Sequence, residues 1–228
     1  MTALGRPRLH LRETTSTNDR ARTLAAAGAP HGTLVTAGAQ TAGRGRQGRR
    51  WTAPPGRALL CSLLLRSFDA LLPLRAGLAV ADLAGESALV KWPNDVLVDG
   101  RKVAGVLIES RPQEGWTVVG IGVNVALDLA GMPPELRATA GSLGRRPADL
   151  EAALLELLGH LERRFGEAVE DALRALRDRD ALLGHTITWT GGEGIGAGID
   201  EDGALRVRLA DGSETKVSAG EVTVSPSG

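Results

Sequence analysis

Tyrosine is absent from these 228 residues, and aromatics make up only 3% of them. A core must therefore be built from Ala, Val and Leu. The chain is poor in the stacking rings that single-stranded nucleic acid favours, which weighs against such a partner. Cysteine occurs once, at Cys61, so no internal disulfide can form, and a reducing, cytoplasmic setting fits. Its place inside ALLCSLLL reads as a small buried hydrophobe rather than a nucleophile. The four histidines, His10, His31, His160 and His185, lack metal-ligand spacing. No apolar stretch approaches the roughly 20 residues that span a bilayer. The opening MTALGRPRLHLRE carries no apolar segment of a secretory leader. Lys plus Arg balance Asp plus Glu at 27 each, whereas a general nucleic-acid binder is usually basic overall.

Against that neutral background, one polar stretch is locally strongly basic. Ala39 to Trp51 reads AQTAGRGRQGRRW, with glycines, arginines and a closing tryptophan between two apolar runs. Glycines let a backbone approach a ligand closely. Guanidinium forks grip phosphate or carboxylate oxygens in pairs, and a Trp can close over a flat ring. The combination predicts a mobile loop around a small anionic ligand carrying an aromatic base; the bland alternative is a solvated basic loop. Gly43, Gly45 and Gly48 also spell G-x-G-x-x-G, but Thr52-Ala53-Pro54-Pro55-Gly56 follows soon after and no helix begins. A dinucleotide fingerprint needs that helix, so the Rossmann reading is rejected.

Along the chain, Ser16 is placed to cap a helix that Gly28 and Pro30 end, with Asp19 completing an imperfect capping box. Strands are predicted at Thr33–Thr36 and at Ala58–Arg66, the latter buried on both faces. Pro73–Ala84 reads as a short helix. Ala88–Lys91, Val96–Val98, Lys102–Glu109 and Trp116–Ile121 read as an antiparallel meander. Ala148–Phe165 and Val169–Leu183 read as amphipathic helices. Five short strands after Gly184 (His185–Trp189, Gly194–Ile199, Leu205–Leu209, Thr215–Val217, Val222–Val224) suggest a small SH3-like barrel, too small to be stable undocked. The expected fold class is α+β, a mixed, mainly antiparallel sheet with helices on it. The expected units are residues 1–183 and 184–228.

Three further clusters could carry chemistry. Ser16-Thr17-Asn18 offers hydroxyls and an amide at a helix start, for a polar ring or for plain capping. Lys91-Trp92-Pro93-Asn94-Asp95 aims an ammonium from a strand end beside a rigid turn. Gly120-Ile121-Gly122-Val123-Asn124 allows close approach of a flat group, or marks a bulge.

Together these clusters resemble the biotin protein ligases. The family pattern G-R-G-R-x-G-R-x-W is met by Gly43–Trp51, K-W-P-N-D by Lys91–Asp95, S-T-N by Ser16–Asn18, A-G-x-L-x-E by Ala104–Glu109 and G-x-G-x-N by Gly120–Asn124. The resemblance implies a class II synthetase-like catalytic domain with a C-terminal SH3-like barrel. It implies activation of biotin by ATP to biotinyl-5′-AMP, then transfer to a lysine of a biotin carboxyl carrier protein domain. By motif match, Ser16, Thr17, Asn18, Gln40, Arg44, Gly45, Arg46 and Lys91 would bind biotin. Arg44, Arg46, Arg49, Trp51, Lys91 and Asn124 would bind ATP or the adenylate. Lys91 and Arg46 would be the catalytic charges. Mg²⁺ would travel with ATP, held largely by phosphates and water; its protein ligands are not assigned, with Asp95 and Glu109 as candidates.

Many relatives begin with a DNA-binding winged helix. About fifteen residues precede Ser16 here, so the expectation is a ligase, monomer or weak homodimer, with no DNA or membrane partner. The helix before Lys91 also looks about ten residues shorter than the family's. The rival enzyme reading is a lipoate or octanoate ligase, and the rival from another class is a nucleic-acid-binding module.

Overall fold

Apolar runs and glycine punctuation divide the chain into two sheets, with helices packed on the larger. The computed structural model describes residues 4–225; the first three residues of the stretch read for a leader, and the outer ends of the two expected units, lie outside it. Its elements are β1 (Arg8–Leu11), α1 (Thr17–Ala26), β2 (Leu34–Ala37), β3 (Leu59–Leu65), α2 (Leu72–Ala84), β4 (Leu89–Lys91), β5 (Asp95–Val98), β6 (Arg101–Arg111), β7 (Trp116–Val123), α3 (Pro134–Thr139), α4 (Leu150–Gly166) and α5 (Val169–Asp178). There follow β8 (Thr186–Trp189), β9 (Gly192–Ile199), β10 (Leu205–Arg208), β11 (Glu214–Val217) and β12 (Thr223–Val224). This is an α+β fold.

The larger sheet runs β1-β2-β3-β7-β6-β5-β4. Only β1 and β2 pair in parallel; β4 to β7 form the anticipated meander. Every residue of β3 is buried, as a continuous apolar run in the middle of a sheet requires. One face carries Leu63, Leu65, Val106, Val119 and Ile121 into the main core with α2 and α4. The other carries Val35, Leu64, Trp116 and Val118 against Ala21 and Ala25 of α1. Helix α2 is apolar nearly all round because it lies inside that main core.

The smaller sheet runs β11-β10-β9-β8-β12, with every neighbouring pair antiparallel. It holds all five anticipated short strands. Its Ile187, Leu205 and Val207 join the main core, and Trp92 Nε1 donates to Gly203 O at 2.9 Å. A unit this small thus gains its burial by docking.

Some expectations fail locally. The helix anticipated through Leu183 ends at Asp178. The next residues run beside β4 instead, where Val90 N donates to Arg179 O (2.7 Å) and Ala181 N to Val90 O (3.1 Å). Strand β1 and helix α3 were not anticipated. Ser16 makes no side-chain cap to α1, so no capping box forms with Asp19; Gln40 Oε1 accepts from the Thr17 amide instead, at 2.7 Å.

Leu157 on α4 has no exposed surface. Leu157→Ala should lower unfolding free energy by about 2–5 kcal/mol, the cost of an unfilled core cavity. Urea titration measures it, and an unchanged midpoint would show that this helix contributes little to the common core.

Candidate active site

Three absent side chains open a hollow on the α1 face of the large sheet. Gly105 of β6 pairs with Gly122 of β7, and Gly120 of β7 pairs with Leu107 of β6 and Ser62 of β3. Their missing Cβ atoms leave a floor on which other groups lie flat. A Cβ on Gly122 would come within 2.5 Å of the Trp51 indole, and one on Gly105 within 3.2 Å. Above this floor is a cavity of about 190 Å³ lined from α1, the arginine loop, β6 and β7.

The arginine loop is a small hairpin. Trp51 N donates to Gly43 O (3.0 Å) and Gly45 N to Arg49 O (2.7 Å), across a single 3₁₀ turn at Arg46–Gly48. Gln47 and Gly48 both have positive φ, 53° and 74°, which reverses the chain there. No helix starts at these glycines, as the rejected dinucleotide reading would have needed.

At one end of the cavity, polar groups interlock. The Thr17 amide and hydroxyl both reach Gln40 Oε1, at 2.7 and 3.1 Å. The Ser62 hydroxyl donates to Asn18 Oδ1 at 2.6 Å and lies 2.8 Å from Thr17 Oγ1. Asn18 Nδ2 donates to Glu109 at 2.8 Å.

Along the rest of the cavity stand Arg44, Arg46, Arg49, Arg50 and Lys102, with no acidic side chain among the lining residues. Their counter-charges lie outside it. Arg44 pairs with Asp19 (2.9 Å) and Glu109 (3.3 Å), and Lys102 with Asp95 (2.6 Å). Arg49 pairs with Glu221, and Arg46 donates to Gly220 O at 3.3 Å, both on the turn before β12. The Lys102 ammonium also stands 5.8 Å from the centre of the Trp51 ring, within cation–π range. The Trp51 indole N–H is buried without an acceptor. The arrangement can hold an elongated anion with a flat group at each end.

Ser16, Thr17, Asn18, Gln40, Arg44, Gly45, Arg46, Arg49 and Trp51 all line this one cavity. Lys91 and Asn124 do not. Lys91 lies on the outermost strand, in one row with Asp95, Gly105 and Gly122, roughly 10 Å from Gly105 at two strand spacings. Asn124 is turned inward: its amide donates to Gly141 O (2.9 Å) and reaches Lys102 O (3.4 Å), so it braces the Lys102 backbone.

Lys102 is the residue that sequence reasoning missed. Val96 pairs with Ala104 and Leu97 with Lys102, so Val103 is an extra residue on β6. Val103 and Ala104 both enter the main core. Strict alternation forbids that; the bulge allows it and turns Lys102 to the cavity face. The available signal was the lysine two residues before Ala104-Gly105 in a strand that otherwise alternates.

Asp95 and Glu109, the two carboxylates offered for Mg²⁺, are already committed to Lys102 and to Asn18, Arg22 and Arg44. Among the described residues no group of three or more His, Cys, Asp or Glu could hold a metal ion. Burial pushes the Cys61 thiol up to about 12, so it offers no thiolate near neutrality.

Residues 11–126 match the biotin/lipoate A/B protein ligase family, and residues 189–225 match the biotin protein ligase C terminal domain. The chain is 35% identical over 242 residues to the biotin--[acetyl-CoA-carboxylase] ligase of Paracoccus denitrificans, covering 93% of this chain and 98% of that one. It is 33% identical over 228 residues to the bifunctional ligase/repressor BirA of Bacillus spizizenii, covering 90% of this chain and 70% of the relative. A solved biotin protein ligase from Aquifex aeolicus in complex with biotin and ATP has a TM-score of 0.83 at 28% identity, covering 96% of this chain and 100% of that one.

Gly122→Ala should drive the Trp51 indole off its floor while the sheet persists. Tryptophan emission, compared with a Trp51→Phe reference to subtract the other three tryptophans, should shift to longer wavelength. An unshifted spectrum would mean that Trp51 does not lie on Gly122 in solution.

Proposed function

The chain belongs to the biotin/lipoate A/B protein ligase family, and on that footing we propose that it activates biotin with ATP and transfers it to a carrier-protein lysine. The observation that carries the residue-level reading is the convergence of five cationic side chains, with no lining carboxylate, between a polar ring pocket and a tryptophan.

In the first step a biotin carboxylate oxygen attacks the α-phosphorus of ATP. The new C–O–P bond gives biotinyl-5′-AMP, and the P–O bond to pyrophosphate breaks. Two anions must meet, at a Coulomb cost that fixed cations remove. Lys102 takes the role that the sequence assigned to Lys91: it bridges the carboxylate and the α-phosphate from the strand bulge. Arg46 and Arg49 face the phosphates. Thr17, Gln40 and Ser16 frame the ureido ring, and Trp51 meets the adenine. In the second step the acceptor lysine, as a neutral amine, attacks the biotinyl carbonyl. The amide bond forms, AMP leaves with the phosphate oxygen, and the amine loses its proton to solvent.

The cavity offers Mg²⁺ no free carboxylate, so the ion is assigned to the phosphates of ATP, where it would offset charge on the departing pyrophosphate. The arginine hairpin closes over the adenylate and excludes water, which would otherwise hydrolyse the mixed anhydride. Residues 1–183 are assigned the adenylation chemistry. The unit at 184–228 backs the hairpin through Gly220 and Glu221. The acceptor is a biotin carboxyl carrier protein domain. Among the described residues no helix is long and apolar enough to cross a membrane, and the reading places the enzyme in the cytoplasm.

A streptavidin blot of a carrier domain, after incubation with the protein, biotin and Mg-ATP, tests the function; labelling with lipoate alone would overturn it. Lys102→Ala should cut biotinyl-AMP formation by about 10²–10³-fold, the scale for losing one fixed transition-state charge partner. Lys91→Ala should stay within a few-fold of wild type. The reverse ranking would return the catalytic charge to the outer strand.

A further inference from the structure

Glu109 closes the A-G-x-L-x-E stretch, and no step above uses it. It stands on the cavity face of β6, with its side chain only 18% exposed. Its carboxylate collects donors from two other elements. Oε2 accepts from Asn18 Nδ2 (2.8 Å) in the first turn of α1; Oε1 accepts from Arg22 Nη1 (2.9 Å), one turn further on. Oε1 also lies 3.3 Å from Arg44 Nη2 at the root of the arginine hairpin. Asp19 shares Arg44 at 2.9 Å and Arg22 at 3.5 Å, so the four charges cancel locally.

The consequence for Asn18 follows from counting its bonds. Its carboxamide gives Nδ2 to Glu109 and takes Ser62 on Oδ1, and its group rests where a Cβ on Gly120 would have to be. Held at both ends of its carboxamide, it is a post that fixes the pocket wall, with one N–H and one lone pair left over. The consequence for Arg44 is complementary. A guanidinium held by two carboxylates from α1 and β6 cannot drift with the rest of the hairpin. One carboxylate therefore fixes both the ring pocket and the hairpin that covers the charged half of the ligand.

We infer that Glu109 is a positioning residue: it ties the ring-pocket wall to the root of the arginine hairpin, so the hairpin closes in register with a ring already seated. The inference rests on the ligase reading for its substrates but not for the tether itself. A carboxylate so engaged serves neither as a metal ligand nor as a base.

Glu109→Gln keeps the size and one acceptor oxygen for Asn18 but removes the charge that ties Arg22 and Arg44 to β6, leaving Asp19 of α1 as their carboxylate partner. Limited trypsin digestion of the ligand-free protein reads the tether directly, since cleavage after Arg44 needs the hairpin root to open. The variant should be cut there at least several-fold faster than wild type, with an unchanged urea midpoint. With substrates, KM for biotin should rise about tenfold while kcat of adenylate formation changes less than threefold. Wild-type cleavage after Arg44 in Glu109→Gln would overturn the tether. If instead biotin and ATP failed to protect wild-type protein from trypsin, the ligase reading would fail while the ligand-free comparison still judged the tether.

Discussion

Five cations around a small cavity repel one another, and the fold must hold them there before any anion arrives. At an effective dielectric near 20, two unit charges 4 Å apart cost about 4 kcal/mol. The solution is spatial separation of charge and counter-charge. Asp19 and Glu109 stand behind Arg44, Asp95 behind Lys102 and Glu221 behind Arg49, all outside the lining. The inside of the cavity stays positive while the chain carries no formal net charge. That is why a protein of zero net charge can still present a strong local field to a phosphate.

The position of those cations depends on two backbone devices. Glycines at 105, 120 and 122 lower the sheet surface, so that Trp51 and Asn18 lie directly upon it. The extra residue at Val103 rotates the strand so that Lys102 joins that face while Val103 and Ala104 fill the core. Asn124 then fixes the bulge by holding the Gly141 and Lys102 carbonyls. The bulge and the cationic lining are thus built from the same few residues of β6.

Most of this was legible in the chain. The continuous apolar run of β3 and the helical stripe of Leu154, Leu157 and Leu161 each encode their element locally. The arginine hairpin and the S-T-N start announced the cavity because both depend on residue type. Lys91 ends the strand expected for it but does not line the cavity, where Lys102 stands, and the reason is different. Which strand a lysine occupies in a meander, and which face it takes after a bulge, are settled by pairing partners far away in sequence. Residues 179–183 misled in the same way: their helical pattern is real, but hydrogen bonds to the edge at Val90 outcompete a last helical turn. Ser16 makes no side-chain cap, and the amide that follows it, Thr17, is met by Gln40, distant in sequence.

The two grips on the arginine hairpin differ in kind, and the difference suits a lid. At its root, Arg44 is held by two carboxylates, one of them mostly buried. At its tip, Arg49 and Glu221 are both about half exposed. Exposed ion pairs contribute roughly 0–1 kcal/mol, so the tip opens readily and closes again without a deep trap. A ligand phosphate that gains one or two charge-assisted bonds more in the closed form, each worth about 1.5–3 kcal/mol, is enough to reverse such a weak bias. In the proposed reaction, a firm root with a weakly held tip would let substrates enter and commit the lid only when the anion is in place, with the docked C-terminal sheet as the surface against which it shuts.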